Sequence, residues 1–243
     1  AMVSDLLYLK KATQTEENAG TIDTNATTPL TNLTSFIRRV IGTDSATTPI
    51  IYSYDGFNWG VSTTAAAIFT AGVSQIGTNG NLSIAYGGSV FGYSNDGITW
   101  LTASDPFSGE PIINISWNGN IWVTGVAGSR IHYSTDGISW TQAPATGAYV
   151  TDAALDGAEV YHIAFNNSIW VAVGTHTDSQ ARIAYSYDGI SWADSEITWN
   201  VGNSINVKIV EWNGSFFSVY GRTGVAAAPD FGAKSYDGKN WTP

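Results

Sequence analysis

The stretch Ser134-Thr135-Asp136-Gly137-Ile138-Ser139-Trp140 decides how this chain of 243 residues folds. Its pattern, S-x-D-G-x-x-W, occurs five times, and the other four copies are Ser53–Trp59, Ser94–Trp100, Ser186–Trp192 and Ser235–Trp241. The tryptophans that end the copies are 41, 40, 52 and 49 residues apart. A pattern that returns at this spacing indicates a repeat architecture, and we number the repeats one to five in chain order.

A second turn signal precedes each copy and is followed by an apolar run. The five signals begin at Asn32, Asn79, Asn118, Asn166 and Asn213. Asn-Gly and Asp-Gly between apolar runs predict type I′ hairpins, in which both central residues have positive φ. Two hairpins in each repeat predict four strands.

Repeat three shows the whole predicted unit. Strands are expected at Ile112–Trp117, Ile121–Val126, Arg130–Ser134 and Ile138–Thr141. The second strand is apolar at nearly every position, which predicts burial of both its faces. Sheets that cover one another satisfy this requirement, and four-stranded units of about 40 to 50 residues are typical of β-propellers. We therefore predict an all-β fold, a five-bladed β-propeller of four-stranded antiparallel blades, with a right-handed solenoid of sheets as the alternative.

The predicted propeller covers residues 27–243, and its blades span about 27–62, 63–104, 105–145, 146–195 and 196–243. Residues 1–26 are too few for a further blade. We expect an N-terminal arm or a ring-closing strand there, and a short helix is a further alternative. The sequence does not give the oligomeric state.

The repeated motif resembles a shortened Asp-box, the S-x-D-x-G-x-[ST]-W hairpin of sialidases and related propellers with bacterial neuraminidase repeats. Thr99, Ser139 and Ser191 keep the hydroxyl residue before the tryptophan, but each copy is one residue shorter between Asp and Gly. Strings such as Trp117–Val123 followed by Tyr133–Gly137 also resemble propeller repeats of large DNA-virus and phage structural proteins. These resemblances imply a propeller fold, with sialidase chemistry or virion attachment as functions to consider.

We expect the repeated residues to serve the fold. Each Asp carboxylate is expected to accept backbone N–H bonds within its turn, and each Trp to pack between neighbouring blades. A ring of ligand sites is the alternative interpretation. The residues concerned are Asp55, Asp96, Asp136, Asp188 and Asp237, with Trp59, Trp100, Trp140, Trp192 and Trp241.

Composition excludes several classes of protein. The chain has no cysteine, so it has neither disulfides nor thiolate metal sites. Its net charge of −10 disfavours nucleic acid and anionic lipid as partners. No signal peptide or membrane-spanning run is visible, so we expect no membrane insertion. A mature exported form would look the same.

The strand order predicts two different ends of the propeller. The Asn and Asp turns share one end, which we call the hairpin face, and the remaining connections share the other, which we call the variable loop face. Binding residues tend to lie on loops that a rigid scaffold positions. We therefore predict the ligand site on the variable loop face, with the candidates Trp199, Tyr149, Arg130, Arg182, Arg222, His176, Asp178, Asp194 and Glu196.

These residues give little support to a catalytic function. The resemblance to sialidases implies three converging arginines, a Tyr–Glu pair and an acid/base Asp, but the chain has only five arginines and lacks the expected Arg-Ile-Pro context. The histidines have no metal-ligand spacing, and no phosphate loop or dinucleotide fingerprint is present. We expect no catalytic residue, no metal and no cofactor, although an enzymatic role stays open.

We therefore predict a non-catalytic recognition module that binds a glycan, a host surface or a protein partner, as lectin-like or virion and phage attachment modules do. Its expected location is extracellular or virion-associated. The first alternative is a protein-interaction or capsid scaffold. The second is a sialidase-like glycoside hydrolase.

Overall fold

The computed structural model describes residues 39–42, 49–54, 57–127, 130–144, 159–175, 181–197, 205–223 and 231–243. Each repeat contributes one antiparallel sheet to this part of the chain. The strands of the first three sheets are β1 (Arg39–Gly42), β2 (Ile50–Ser53) and β3 (Gly60–Val61), then β4 (Gln75–Thr78), β5 (Ser83–Gly87), β6 (Val90–Ser94) and β7 (Leu101–Ala103), then β8 (Ile112–Trp117), β9 (Trp122–Val126), β10 (Arg130–Ser134) and β11 (Thr141–Gln142).

Repeats four and five supply the remaining strands. They are β12 (Glu159–Phe165), β13 (Trp170–Thr175), β14 (Ala181–Ser186), β15 (Ala193–Asp194), β16 (Glu196–Ile197), β17 (Ile205–Trp212), β18 (Phe217–Thr223), β19 (Phe231–Ser235) and β20 (Asn240–Trp241). Repeats two, three and four each form a four-stranded antiparallel sheet. The predicted all-β class and the four-stranded unit are thus confirmed.

The fifth sheet joins its outermost strand differently. Strands β17, β18 and β19 pair in order, and Thr242 then exchanges both backbone hydrogen bonds with Lys234 of β19. Strand β20 also pairs in parallel with β16, the short strand that leads out of repeat four. The connection between repeats four and five is therefore tied to the outer edge of sheet five.

Helix α1 (Thr63–Ile68) lies between repeats one and two. Its N-cap is Ser62, whose hydroxyl oxygen accepts the backbone N–H of Ala65 at 3.1 Å. The hydroxyls of Ser62 and Thr64 donate to the carbonyl of Ile98 at 2.5 Å and 2.9 Å. Because Ile98 belongs to the motif of repeat two, these bonds attach the helix to the second sheet.

The two turns of a repeat both differ from the predicted type I′ hairpin, and the motif turn is also wider. Tyr133 pairs with Thr141, so the motif turn spans the residues between them, and the fourth strand begins at Thr141 instead of Ile138. Gly137 and Gly119 have positive φ values of 76° and 104°, but Asp136 and Asn118 before them do not. The type I′ assignment is wrong for the motif turn because Asp136 Oδ1 accepts backbone N–H groups and stabilises a longer Asx turn. The Asn118 N–H donates to the Ile121 carbonyl at 3.3 Å, so that turn keeps two central residues, of which only Gly119 has positive φ.

The core lies between consecutive sheets. We call the side of a sheet that faces the preceding repeat its near side, and the side that faces the following repeat its far side. The second strands β5 and β9 are buried along their whole length, as their apolar runs predicted. The motif tryptophan lies on the near side, where Trp100, Trp192 and Trp241 pack with residues of repeats one, three and four respectively.

Candidate functional site

The motif turn uses most of its polar groups internally. In repeat three, Asp136 Oδ1 accepts the backbone N–H groups of Ile138 at 2.8 Å and Ser139 at 2.7 Å. The Ser134 hydroxyl donates to the same oxygen at 2.9 Å and accepts the Gly137 N–H at 2.8 Å. The turns around Asp96, Asp188 and Asp237 repeat the Asp bonds. These carboxylates therefore act as parts of the turn.

The hydrogen bonds also set the charge state of these carboxylates. Burial alone raises the pKa of Asp136, but the bonds from Ile138, Ser139 and Ser134 outweigh it and hold the pKa at about 2. The same balance lowers the pKa of Asp96, Asp188 and Asp237. All four groups are charged at neutral pH, which keeps them in the acceptor role that the turn requires.

The residue between Ser and Asp of the motif has no such role in the turn. It is tyrosine in repeats one, four and five, but Asn95 and Thr135 occupy it in repeats two and three. The exposed fractions of Tyr187 and Tyr236 are 61% and 67%. Since the turn closes equally well around Asn95 and Thr135, these aromatic rings on the hairpin face are not needed for its geometry.

A cluster of two tyrosines and a lysine bridges repeats four and five on the hairpin face. The rings of Tyr185 and Tyr187 meet edge to face, with 5.9 Å between centroids. The Lys239 ammonium lies 5.4 Å from the Tyr187 centroid and 5.6 Å from that of Tyr185. Its hydrogen bond to the Tyr187 side chain raises the pKa of Lys239, so the ammonium stays charged. The cluster combines exposed aromatic surface with a fixed cation.

Two further aromatic pairs occupy the same face. Tyr236 packs edge to face with Phe216 at 5.8 Å, and the Lys234 ammonium lies 5.8 Å from the Tyr236 centroid. Tyr52 and Tyr54 of repeat one have the same arrangement as Tyr185 and Tyr187, with 5.9 Å between centroids. The hairpin face therefore carries aromatic pairs on repeats one, four and five.

The first strands of repeats three, four and five all contain a bulge. In β12 and β17 the register shifts at Tyr161 and Lys208, and the Lys208 ammonium lies 3.1 Å from the centroid of the Tyr161 ring. In β8 the shift falls between Ile112 and Ile115. A bulge turns one extra side chain out of the sheet, which explains how Lys208 reaches Tyr161 on the neighbouring sheet.

Polar side chains beside these bulges connect consecutive sheets. The Asn114 amide donates to the carbonyl of Ile163 at 3.0 Å. One repeat later, His162 Nδ1 is 2.8 Å from the carbonyl of Val210, a hydrogen bond that requires the proton on Nδ1. Both residues stand four positions before the Asn of their turn signal. The fold therefore repeats one junction contact with two different side chains.

The structure describes some of the predicted ligand residues and leaves others outside the described ranges. Tyr149, His176, Asp178 and Trp199 lie outside the described residues, as does Asp55 of the first motif. The backbones of Arg130, Arg222 and Glu196 lie in β10, β18 and β16, paired with Val126, Asn206 and Asn240. Arg182 is half-buried in β14, and Asp194 is exposed on β15. Arg130 begins β10, as the predicted strand Arg130–Ser134 required. The assignment of the other four residues to loops is wrong, because the strands extend further than their apolar runs.

The hairpin-face cluster was missed by reasoning from the sequence. One sequence signal could have identified Tyr187: repeats two and three have Asn95 and Thr135 at the same motif position, so the turn does not require tyrosine there. Lys239 gave no signal, because its contact with Tyr185 and Tyr187 joins two repeats. Within the described ranges, no three His, Asp or Glu side chains group as metal ligands. Nor does that part of the chain include a helix long and apolar enough to span a membrane.

The solved structures that are similar to this chain have β-propeller-like folds. The extracellular domain of the hybrid two component system BT4673 from B. thetaiotaomicron matches with a TM-score of 0.54 and 8% identity, over 81% of this chain and 24% of that chain. YCF48 bound to D1 peptide matches with a TM-score of 0.52 and 15% identity, over 78% and 59%. The computationally designed Ika8 protein matches with a TM-score of 0.51 and 11% identity, over 82% and 55%.

These matches extend over only part of the longer proteins, since this chain spans 55% of the Ika8 chain and 59% of the YCF48 chain. At these identities they establish the fold alone. Neither a protein-family model nor a curated protein matches the sequence.

Proposed function

We propose that this chain is a non-catalytic recognition module whose five sheets are blades of a propeller and whose ligand is a carbohydrate on a cell surface. The observation that carries this proposal is the cluster of Tyr185, Tyr187 and Lys239 on the hairpin face. An extracellular or virion-associated location belongs to the same proposal.

The cluster has the features that a sugar requires. The Tyr187 ring offers a flat apolar face with a hydroxyl at its rim, which matches the apolar C–H face and peripheral hydroxyls of a pyranose. Its contact with Tyr185 restricts the ring before binding, so binding costs little side-chain conformational entropy. Lys239 adds charged donors that strengthen hydrogen bonds to sugar oxygens. Repeats one and five carry related aromatic pairs, which favours several weak sites acting together.

The variable loop face is the second surface proposed for the same function. Trp199 is the candidate stacking residue there, and Tyr149, Arg130, Arg182 and Arg222 are the candidate polar partners. Because the two faces are at opposite ends of the sheets, substitutions on one face leave the other intact, and binding experiments distinguish them.

A protein-interaction or capsid scaffold is the second candidate function. It is favoured by large apolar side chains that stay exposed on the sheets of repeats one and five, namely Trp59, Val61, Ile209 and Tyr220. Among the solved structures of similar fold, YCF48 is bound to a peptide. A scaffold would bind protein through such sheet surfaces and would need no sugar site.

A glycan array tests the carbohydrate proposal. Labelled wild-type protein is compared with the variants Tyr187→Ala, Lys239→Gln and Trp199→Ala. Thr135→Ala is the matched control, because it changes the same motif position in repeat three. We expect selective binding that Tyr187→Ala and Lys239→Gln abolish and that Thr135→Ala retains. Loss only in Trp199→Ala would move the site to the variable loop face, and a blank array with folded protein would overturn the proposal in favour of the scaffold.

A further inference from the structure

The motif turn of repeat five repeats the chemistry of the proposed sugar site. Tyr236 is 67% exposed, and its ring meets the Phe216 ring edge to face, with 5.8 Å between centroids. The Lys234 ammonium lies 5.8 Å from the Tyr236 centroid. Tyr187 of repeat four likewise has a second ring and a lysine ammonium beside it. We call a motif tyrosine with these two neighbours an aromatic platform.

The two platforms reach the same composition from different sequence positions. Lys234 stands directly before the motif serine of repeat five, a position that Tyr185 occupies in repeat four. The second ring of repeat five comes instead from Phe216, whose carbonyl closes the other turn of that repeat. Repeats two and three have Asn95 and Thr135 at the tyrosine position, so they lack the central ring. The platform is therefore not an automatic product of the repeat.

Lys239 joins the two platforms into one surface. It belongs to the same motif turn as Tyr236, but its ammonium lies 5.4 Å from the Tyr187 centroid in repeat four. A Cβ at Gly238 of this turn would meet Val171 Cγ2 of repeat four at 2.9 Å, so the turn packs directly on that repeat. Because stacked sheets lie about 10 Å apart, the equivalent rings of Tyr187 and Tyr236 are expected at about that separation.

We infer that the ligand is an oligosaccharide, and that Tyr236, Phe216 and Lys234 form a second subsite beside Tyr187 and Lys239. The subsite rests on the proposed function, since it extends the sugar site at Tyr187. A single pyranose is about as wide as one tyrosine ring, so it cannot cover two platforms about 10 Å apart. Consecutive sugars of a chain present the same apolar face and peripheral hydroxyls, so a repeated platform fits a repeated ligand.

Contact with both platforms at once should strengthen binding. The first sugar holds the second near its subsite, so the second contact adds affinity without a further loss of translational freedom. Both tyrosine rings already have edge-to-face neighbours, at 5.9 Å for Tyr187 and 5.8 Å for Tyr236. Lys239 and Lys234 place one charged donor beside each ring for the sugar hydroxyls. Affinity should therefore rise with the length of the sugar chain.

A length series of one glycan tests the second subsite. The probe is the glycan with the strongest signal on the array, supplied as its monosaccharide, disaccharide, trisaccharide and tetrasaccharide, and isothermal titration calorimetry measures each affinity. We expect the affinity of wild-type protein to rise by about tenfold or more along the series, as an added aromatic contact provides. Tyr236→Ala should remove this rise and keep the affinity for the monosaccharide. Tyr236→Phe should keep both, because the ring face is unchanged.

Tyr220→Ala is the matched control, because Tyr220 is 55% exposed on β18 of the same repeat and belongs to neither platform. It should leave the whole length series unchanged. Retained binding of the monosaccharide shows that Tyr236→Ala is folded.

Three results would overturn the second subsite and leave the sugar site at Tyr187 standing. They are equal wild-type affinity for all four lengths, a rise with length that persists in Tyr236→Ala, and loss of monosaccharide binding in Tyr236→Ala with an unchanged melting temperature. An array without any binding would overturn the proposed function and the subsite together, so the two failures are distinguishable.

Discussion

The rings of Phe69 and Trp100 meet edge to face, with 5.9 Å between centroids and 79° between planes. Phe69 follows helix α1, whereas Trp100 ends the motif of repeat two, and both are buried with Ile50 of repeat one. This contact joins three segments that are distant in sequence. It shows why the motif ends in tryptophan, since a large ring is needed to reach the preceding repeat.

Replacing Trp100 should therefore destabilise the protein strongly. We expect Trp100→Ala to lower the free energy of unfolding by about 3–5 kcal/mol, the range for truncating a buried aromatic residue. Trp59→Ala should have a much smaller effect, because Trp59 is 39% exposed. Urea unfolding of both variants measures the difference, and equal losses would contradict the assignment of Trp100 to a junction between repeats.

The Asp turns should make stability depend on pH. The pKa of Asp136 is lowered to about 2 in the folded chain, so its contribution to stability is present above the ordinary carboxyl pKa and is lost as pH falls towards 2. Asp136→Asn keeps an acceptor oxygen but has no such titration. Unfolding in urea at pH 5 and pH 2.5 should show a smaller acid loss for Asp136→Asn than for wild type, whereas Asp136→Ala should be destabilised at both pH values.

Two turn glycines should tolerate a methyl group differently. A Cβ at Gly119 meets nothing within 4 Å, so Gly119→Ala should cost about 1–2 kcal/mol from its positive φ alone. A Cβ at Gly137 would meet Leu82 Cδ2 at 2.7 Å and Trp122 Nε1 at 3.0 Å. Gly137→Ala should therefore cost about 1–3 kcal/mol more. Thermal unfolding compares the two variants. Equal melting temperatures would show that Leu82 and Trp122 move away from the added methyl group without loss of stability.

The junction hydrogen bond of His162 should be replaceable by asparagine. His162→Ala leaves the Val210 carbonyl without its partner, which should cost about 1–3 kcal/mol. His162→Asn should recover most of this loss, because Asn114 makes the equivalent bond to Ile163 one repeat earlier. Urea unfolding of the two variants is the measurement. If His162→Asn is as unstable as His162→Ala, the two junctions are not equivalent.

Most of the fold could be predicted from repeated local signals. The motif at Ser134 and the turn signal at Asn118 limited the position of β9 to one or two residues, because turns and apolar runs are local features. The fourth strand was misplaced, because Asp136 stabilises a turn longer than a two-residue hairpin. The candidate site was predicted poorly, since Tyr185 and Lys239 are 54 residues apart and meet only when two sheets pack together.

The sequence by itself determined that the chain is all-β, that it has five repeats and that each repeat forms an antiparallel sheet. Those properties follow from turn chemistry and strand periodicity, which act over a few residues. Only the tertiary structure decided which side of each sheet is covered, and it placed Tyr187 beside Lys239 and left Tyr220 and Trp59 exposed. The physical reason is that identical motifs differ in environment solely through the sheet that packs against them.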